Sequence, residues 1–340
     1  MSNSENSNLE TITDLIEAAS TGVPAPIRKN FFKVLGQLCT AAADVPVAYL
    51  EGKAEEYRAV AAARRKLIEK SGTKTSEKIT VPQSLVDRAT EKYLGKILNQ
   101  QTTLNDIVEQ AGKNIVADSS ITPRLDVPQV EGEKEVANDW LNEFEEIAKL
   151  KNSADMKSAF SKILSGEIVK PGSYSIRTLR ILSQLDNSAA KLFQQLVSCT
   201  IRSQVFTHVI DRRVVGLSGN PGSNSLQKFG LTFSALNILQ EYGLIISDYN
   251  SYSNYALSIA NDEKVVTLPI LFGNKSYGLV RNNDMGIPET FKLSGVAYTN
   301  AGSELFDIVE VEPNQEYFND LVQFLKSMGY DLIEIGEPVP

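Results

Sequence analysis

The stretch KILSGEIVKPGSYSIRTLRILSQL, residues 162–185, decides how the middle of this chain is read. Two glycines, a lysine, a proline and two serines fill a short gap between apolar runs of helical spacing. One reading is a phosphate-binding loop, and it fails. That motif is G-x-x-x-x-G-K-[ST] behind a strand, whereas here Gly166 and Gly172 are six positions apart, no lysine precedes Ser173, and a helix-like run leads in. A corner between two helices fits better. Gly166 takes the left-handed place that ends the first helix, and Pro171 blocks continuation. Gly172 permits a sharp turn, and Ser173 or Ser175 caps the next helix. Phe160, Ile163 and Leu164 then oppose Ile176, Leu179 and Leu182 as the two stripes of an αα-hairpin. Arg177 falls in the first turn of the second helix, where the dipole disfavours a cation. It calls for a partner, and Glu167 is the acid expected to form a structural polar pair with it.

Outward from this corner the chain reads as helix after helix. NLETITDLIEAAS (8–20) is amphipathic, and a second helix begins near Ile27. Residues 31–50 are the most apolar segment, rich in small residues, with Pro46 as a kink or break. They suit a core or oligomer-forming helix, with contact at a membrane surface as the rival. Residues 51–70 read as an exposed helix carrying the basic cluster Arg64, Arg65 and Lys66. Two further helices are expected over 83–99 and 103–116. Residues 117–134 form a proline-bearing linker. Trp140, Leu141, Phe144 and Ile147 make an apolar stripe, with Trp140 as a core anchor, and Ser153 caps the helix that enters the corner.

Past the corner, helices are expected over 175–185 and 187–210, the second capped by Asn187 or Ser188. LSGNPGSNS (217–225) is a second boundary. The pattern then shifts to a helix near LTFSALNILQEYG, alternating runs in LIISDYN, NYALSIA, KVVTLPILF and ETFKLSGVAYT, a helix capped by Thr299 or Asn300, a final amphipathic helix and the short strand YDLIEI. Helix, helix, hairpin, helix is the order of a winged-helix module. Its reading helix, Thr232–Tyr242, holds no lysine or arginine, so protein contact is favoured over DNA.

Charge and residue inventory narrow the functions. Of the 340 residues, 34 are basic and 42 acidic, a formal net charge of −8. Residues 224–340 hold 6 basic and 15 acidic side chains, so the last third is poorly suited to a phosphate backbone. His208 is the single histidine and lies in the helix-like run IRSQVFTHVIDRR, without a nucleophile elbow, so a histidine-based triad or multi-histidine metal site has no support. Glu167, Lys170 and Asp155 lack the strand context of a nuclease set. Cys39 and Cys199 read as two reduced thiols. The polar start MSNSENSNLE lacks the features of a signal peptide, and no apolar run spans a bilayer, which points to the cytoplasm. No catalytic, cofactor-binding or metal-binding residue is nominated.

The run F-x-K-I-L-x-G-E-I-x-x-P-G-S-Y-S-x-R-T-L, preceded by W-L-x-x-F and followed by Y-G-L-I and Y-T-N-A-G-S-E-L, resembles bacterial domain-of-unknown-function proteins of prophage and defence loci. These are similar to the abortive-infection alpha group, and the resemblance spans about 135–330. It implies a bacterial cytoplasm and an anti-phage role, and carries no catalytic residues. The expectation is a mainly α protein. A helical N-terminal region occupies 1–116, a linker 117–134, a central helical domain 135–216, and an α+β module resembling a winged helix 224–340. Its expected function is that of a non-enzymatic sensor, adaptor or regulator in phage defence. It would act without a cofactor through contacts with other proteins, phage-encoded or co-encoded, and with copies of itself. The alternatives are an abortive-infection effector acting at the membrane through 31–50, and a nucleic-acid-binding regulator using Arg64, Arg65, Lys66, Arg212 and Arg213.

Overall fold

Pro24 and Pro26 bracket the start of the first helix, α1 (Ala25–Leu38), where a missing N–H costs nothing because that group has no helical partner. The computed structural model describes residues 23–39, 83–117, 134–205, 208–218, 223–261, 265–282 and 288–335. The helices expected over 8–20 and 51–70 lie outside these, as do Arg64, Arg65 and Lys66. The described residues fall into two compact units, divided between Leu179 and Arg180.

The first unit is helical. Phe31, Phe32, Val34, Leu35 and Leu38 of α1 are buried, so the described part of the apolar segment 31–50 is core. α1 packs on α2 (Gln83–Ala117), α3 (Asn138–Ala148) and α4 (Ala154–Val169). The two helices expected over 83–116 are one, because nothing between them breaks a helix. Thr102 and Thr103 turn their hydroxyls back onto the carbonyls of Leu98 and Asn99, both at 3.0 Å. Leu104, Ile107, Val108, Ala111 and Ile115 of α2 recur at helical spacing and are buried. Trp140 is the expected anchor: it stacks on Phe144 at 5.2 Å, and Phe144 meets Phe160 of α4 edge-on at 5.7 Å. α5 (Ile176–Gln184) leaves this unit.

The second unit overturns the expected fold class. It is built on seven antiparallel strands in the order β3 (Ser251–Asn254), β6 (Lys292–Ala297), β2 (His208–Val215), β1 (Ile201–Val205), β4 (Ile270–Phe272), β5 (Lys275–Arg281) and β7 (Tyr330–Ile335), a half-barrel, so the chain is α+β and the C-terminal part is not a winged helix. After α6 (Asn187–Ser198) come β1 (Ile201–Val205) and β2 (His208–Val215), where a continuous helix was expected. The residues explain the switch. Ile201, Val205, Val209, Ile210, Val214 and Val215 are β-branched and favour a pleated sheet. The Thr200 hydroxyl ends α6 by bonding the Leu196 carbonyl at 2.8 Å. Asp186, rather than Asn187 or Ser188, caps that helix by accepting the Ala189 N–H at 2.8 Å.

A short 3-10 turn (Ser225–Phe229) and α7 (Phe233–Glu241) precede β3 (Ser251–Asn254), β4 (Ile270–Phe272), β5 (Lys275–Arg281) and β6 (Lys292–Ala297). β3 falls on the polar turn expected between the runs LIISDYN and NYALSIA, and neither run itself forms one of the sheet's named strands. β5 is a strand the sequence reading passed over. Thr299 caps α8 (Asn300–Phe306) as expected, and α9 (Gln315–Ser327) and β7 (Tyr330–Ile335) close the unit. α9 is clamped to the sheet by Tyr317. Its buried hydroxyl accepts the Val215 N–H at 2.8 Å and donates to the Val215 carbonyl at 3.3 Å.

Candidate functional site

Glu167 organises the corner. The helix does not stop at Gly166 but runs on to Val169, and the left-handed residue is Gly172, at φ 92°. Gly166 is needed for another reason. A Cβ there would lie 2.6 Å from the ring of Tyr174, so the absent side chain makes room for the tyrosine. The Glu167 carboxylate is buried. Oε1 accepts the Gly172 N–H at 2.7 Å and Oε2 accepts the Tyr174 N–H at 3.0 Å. The Tyr174 carbonyl then accepts the Trp140 indole N–H at 2.8 Å, tying the corner to the core. Ser175 caps α5 through the Thr178 N–H at 3.3 Å. The backbone donors of Gly172 and Tyr174 are thus occupied by a carboxylate, which repels a phosphate. Arg177, the residue expected to pair with Glu167, is exposed on the first turn of α5.

A second polar group runs through the middle of the sheet. Arg213 forms a two-pronged pair with Asp211, at 2.5 Å and 2.8 Å, and donates to the carbonyls of Ser251 and Leu293. Tyr255, 1% exposed, gives its hydroxyl to the same Asp211 at 2.6 Å. Burial, with the Asp211 charge, raises the Tyr255 phenol well above its usual range and keeps it protonated. Arg212 reaches another set of partners. It bonds the Ser303 carbonyl and, at 2.5 Å, Asp307, and stacks 4.6 Å from the ring centroid of Phe306. Both arginines are nearly buried, at 7% and 3% exposure. A phosphate backbone would have to displace these internal partners to reach either guanidinium. Arg202, Asp211, Tyr255 and Asp307 went unnoticed in the sequence. The signal was the β-branched content of IRSQV and HVIDRRVV, overlooked once the run was read as helix.

A cavity of about 190 Å³ opens elsewhere on this unit, lined by Ser218, Asn224, Ser225, Lys292, Ser294 and Phe324, among others. Phe233 and Met328 also line it and remain 48% and 40% exposed. Lys292 lies 4.1 Å from the ring centroid of Tyr252, which is 58% exposed. The two cysteines, both buried, are poorly placed for chemistry. Burial pushes the thiols of Cys39 and Cys199 up to about 12 and about 11, so both are protonated and weak nucleophiles. Among the described residues no three His, Cys, Asp or Glu side chains are grouped to hold a metal ion, and no helix is long and apolar enough to cross a membrane.

These features define an α+β protein in which Glu167, Asp211, Arg212 and Arg213 are engaged in internal bonds. Residues 87–322 match the family described as a protein of unknown function, DUF2806, and the chain belongs to that family. The match does not link it to abortive-infection alpha proteins or to prophage loci. No curated protein and no solved structure matches the chain.

Proposed function

We propose that this protein is a non-enzymatic binding module that acts through contact with another protein. The observation that carries the reading is the cavity rim. Phe233 and Met328, large and exposed, line an opening of about 190 Å³, and the exposed Tyr252 lies against Lys292 of the same lining. Small-molecule clefts commonly enclose about 300–1,000 Å³. This one suits a single inserted side chain of a partner, with the exposed apolar groups as its rim. The engagement of Asp211, Arg212, Arg213 and Glu167 in internal bonds supports the same reading, since none is left poised as an acid, base or nucleophile.

A setting in bacterial phage defence rests on the resemblance of the corner motif alone. Both parts are tested by capture with cross-linking from phage-infected cells, using the native chain and a Phe233→Asp, Met328→Asp variant. A protein retained by the native chain and lost with the variant is the expected result. If no variant-sensitive protein is recovered, the binding reading fails. Unchanged phage plating on cells lacking the gene removes the defence setting.

A further inference from the structure

β1 and β2 pair so that Arg202 stands directly opposite Arg212. Residues opposed across two strands share a face, and like charges there destabilise the pair. The arrangement is therefore costly unless something negative lies between them. Asp307 is the carboxylate that the described contacts provide, and its one charge faces two guanidinium groups. Asp307 is already bonded to Arg212, and its side chain is 49% exposed.

The donors are also unevenly satisfied. Arg212 uses Nη1 and Nη2 on Ser303 and Asp307, but its Nε is buried without a hydrogen-bond partner among the described residues. Among the described residues Arg202, half-buried, gives one hydrogen bond, from Nη2 to the Gly273 carbonyl at 3.1 Å. Burial, and then the neighbouring Arg212 charge, pull the Arg202 pKa below its ordinary value, as expected for a cation short of counter-charge. A guanidinium presents its N–H groups as a planar fork matched to two oxygens of a carboxylate or phosphate.

We infer that Arg202 and Arg212, opposed across β1 and β2 and sharing the carboxylate of Asp307, form a binding site for a small oxyanion. Arg202 is the direct ligand. Arg212, held by Phe306 and Asp307, supplies the field behind it. The oxyanion is a carboxylate or a phosphate-type group carried by a small ligand. The site is separate from the rim of Phe233 and Met328, so its failure leaves the protein-contact reading standing.

Calorimetry and thermal unfolding of the full chain test this, with inorganic phosphate and acetate each compared with chloride at matched ionic strength. Saturable binding of phosphate or acetate above the chloride background is expected, and whichever binds tighter identifies the ligand class. Arg202→Ala should weaken that binding at least tenfold. Arg202→Lys, which keeps the charge but loses the fork, should recover only part of it. Asp307→Asn removes the internal competitor and should tighten binding several-fold. That last change separates a ligand site from a structural ion cluster, which would lose stability without gaining affinity. The inference is overturned if neither anion binds better than chloride. It is also overturned if Arg202→Ala binds like the native chain, or, where that variant does not fold, if Asp307→Asn fails to tighten binding.

Discussion

Replacing Glu167 by alanine tests whether one carboxylate holds the corner together. The residue is 2% exposed and accepts two backbone N–H groups, from Gly172 at 2.7 Å and from Tyr174 at 3.0 Å. A hydrogen bond to a charged group contributes about 1.5–3 kcal/mol, and a buried donor left without a partner costs about 1–3 kcal/mol. Gly172 is exposed, so water can replace the lost acceptor there; Tyr174 is buried and its N–H cannot be rescued so easily. The loss should therefore be about 3–4 kcal/mol for Glu167→Ala. Glu167→Gln keeps one acceptor but turns an NH₂ group towards the other donor, for a loss of about 2 kcal/mol. Against a domain stability of about 5–15 kcal/mol, either is large. The assay is urea unfolding at neutral pH followed by the fluorescence of Trp140, the chain's single tryptophan, whose indole bonds the Tyr174 carbonyl and so reports on the corner itself. A shift below about 0.5 kcal/mol for the alanine variant, the size of an ordinary surface substitution, would refute the reasoning. The same experiment settles the partner of Arg177. In a cycle of Glu167→Gln and Arg177→Ala, a coupling above about 0.5 kcal/mol establishes the pair, and additivity removes it.

Two other substitutions separate competing effects. Alanine normally improves on glycine inside a helix by about 1 kcal/mol. Gly166→Ala should nevertheless destabilise by about 1–2 kcal/mol, because its Cβ meets the Tyr174 ring at 2.6 Å and overpacking outweighs propensity. In a Tyr174→Leu background the sign should reverse, and a stabilising Gly166→Ala in the native chain would contradict the packing argument. Glu135 bonds Lys29 at 2.9 Å and Lys33 at 3.3 Å, and these side chains hold its carboxyl down at about 2. A depressed folded-state pKa contributes stability above the ordinary value of 4.5, lost as pH falls from there through about 2. With a third of the Glu135 side chain exposed, solvent screening trims this to about 1 kcal/mol. Glu135→Gln should lower stability at neutral pH by that amount and converge with the native chain at the acid end; parallel acid curves would exclude the linkage.

Where apolar residues recur with the helical period, the sequence reading holds. α3, α4 and α9 bury the faces their spacing suggests, because one buried face suffices to stabilise an amphipathic helix. Boundaries fare worse. Gly166 looked like a helix end because glycine is the usual left-handed residue, yet its role is set by Tyr174, a contact that spacing alone does not reveal. Glu167 was named only as a partner for Arg177; the partners described for its carboxylate are main-chain N–H groups, which leave no mark in composition.

The larger error concerns 201–215, and it shows how a secondary-structure assignment carries a functional reading with it. Read as a helix, Arg212 and Arg213 form one basic patch, a candidate contact for nucleic acid. In a strand, successive side chains point to opposite faces. Arg213 therefore joins Asp211, two positions away on the same face, while Arg212 turns to Asp307 and Phe306. Two neighbouring charges thus serve two unconnected networks, one closed by Tyr255 and Asp211 and one opposite Arg202. The first has a matching acid and two carbonyl acceptors. The second pairs two cations with one exposed acid, so the anion-binding capacity of these two networks lies with Arg202, a residue no basic cluster in the sequence would have singled out.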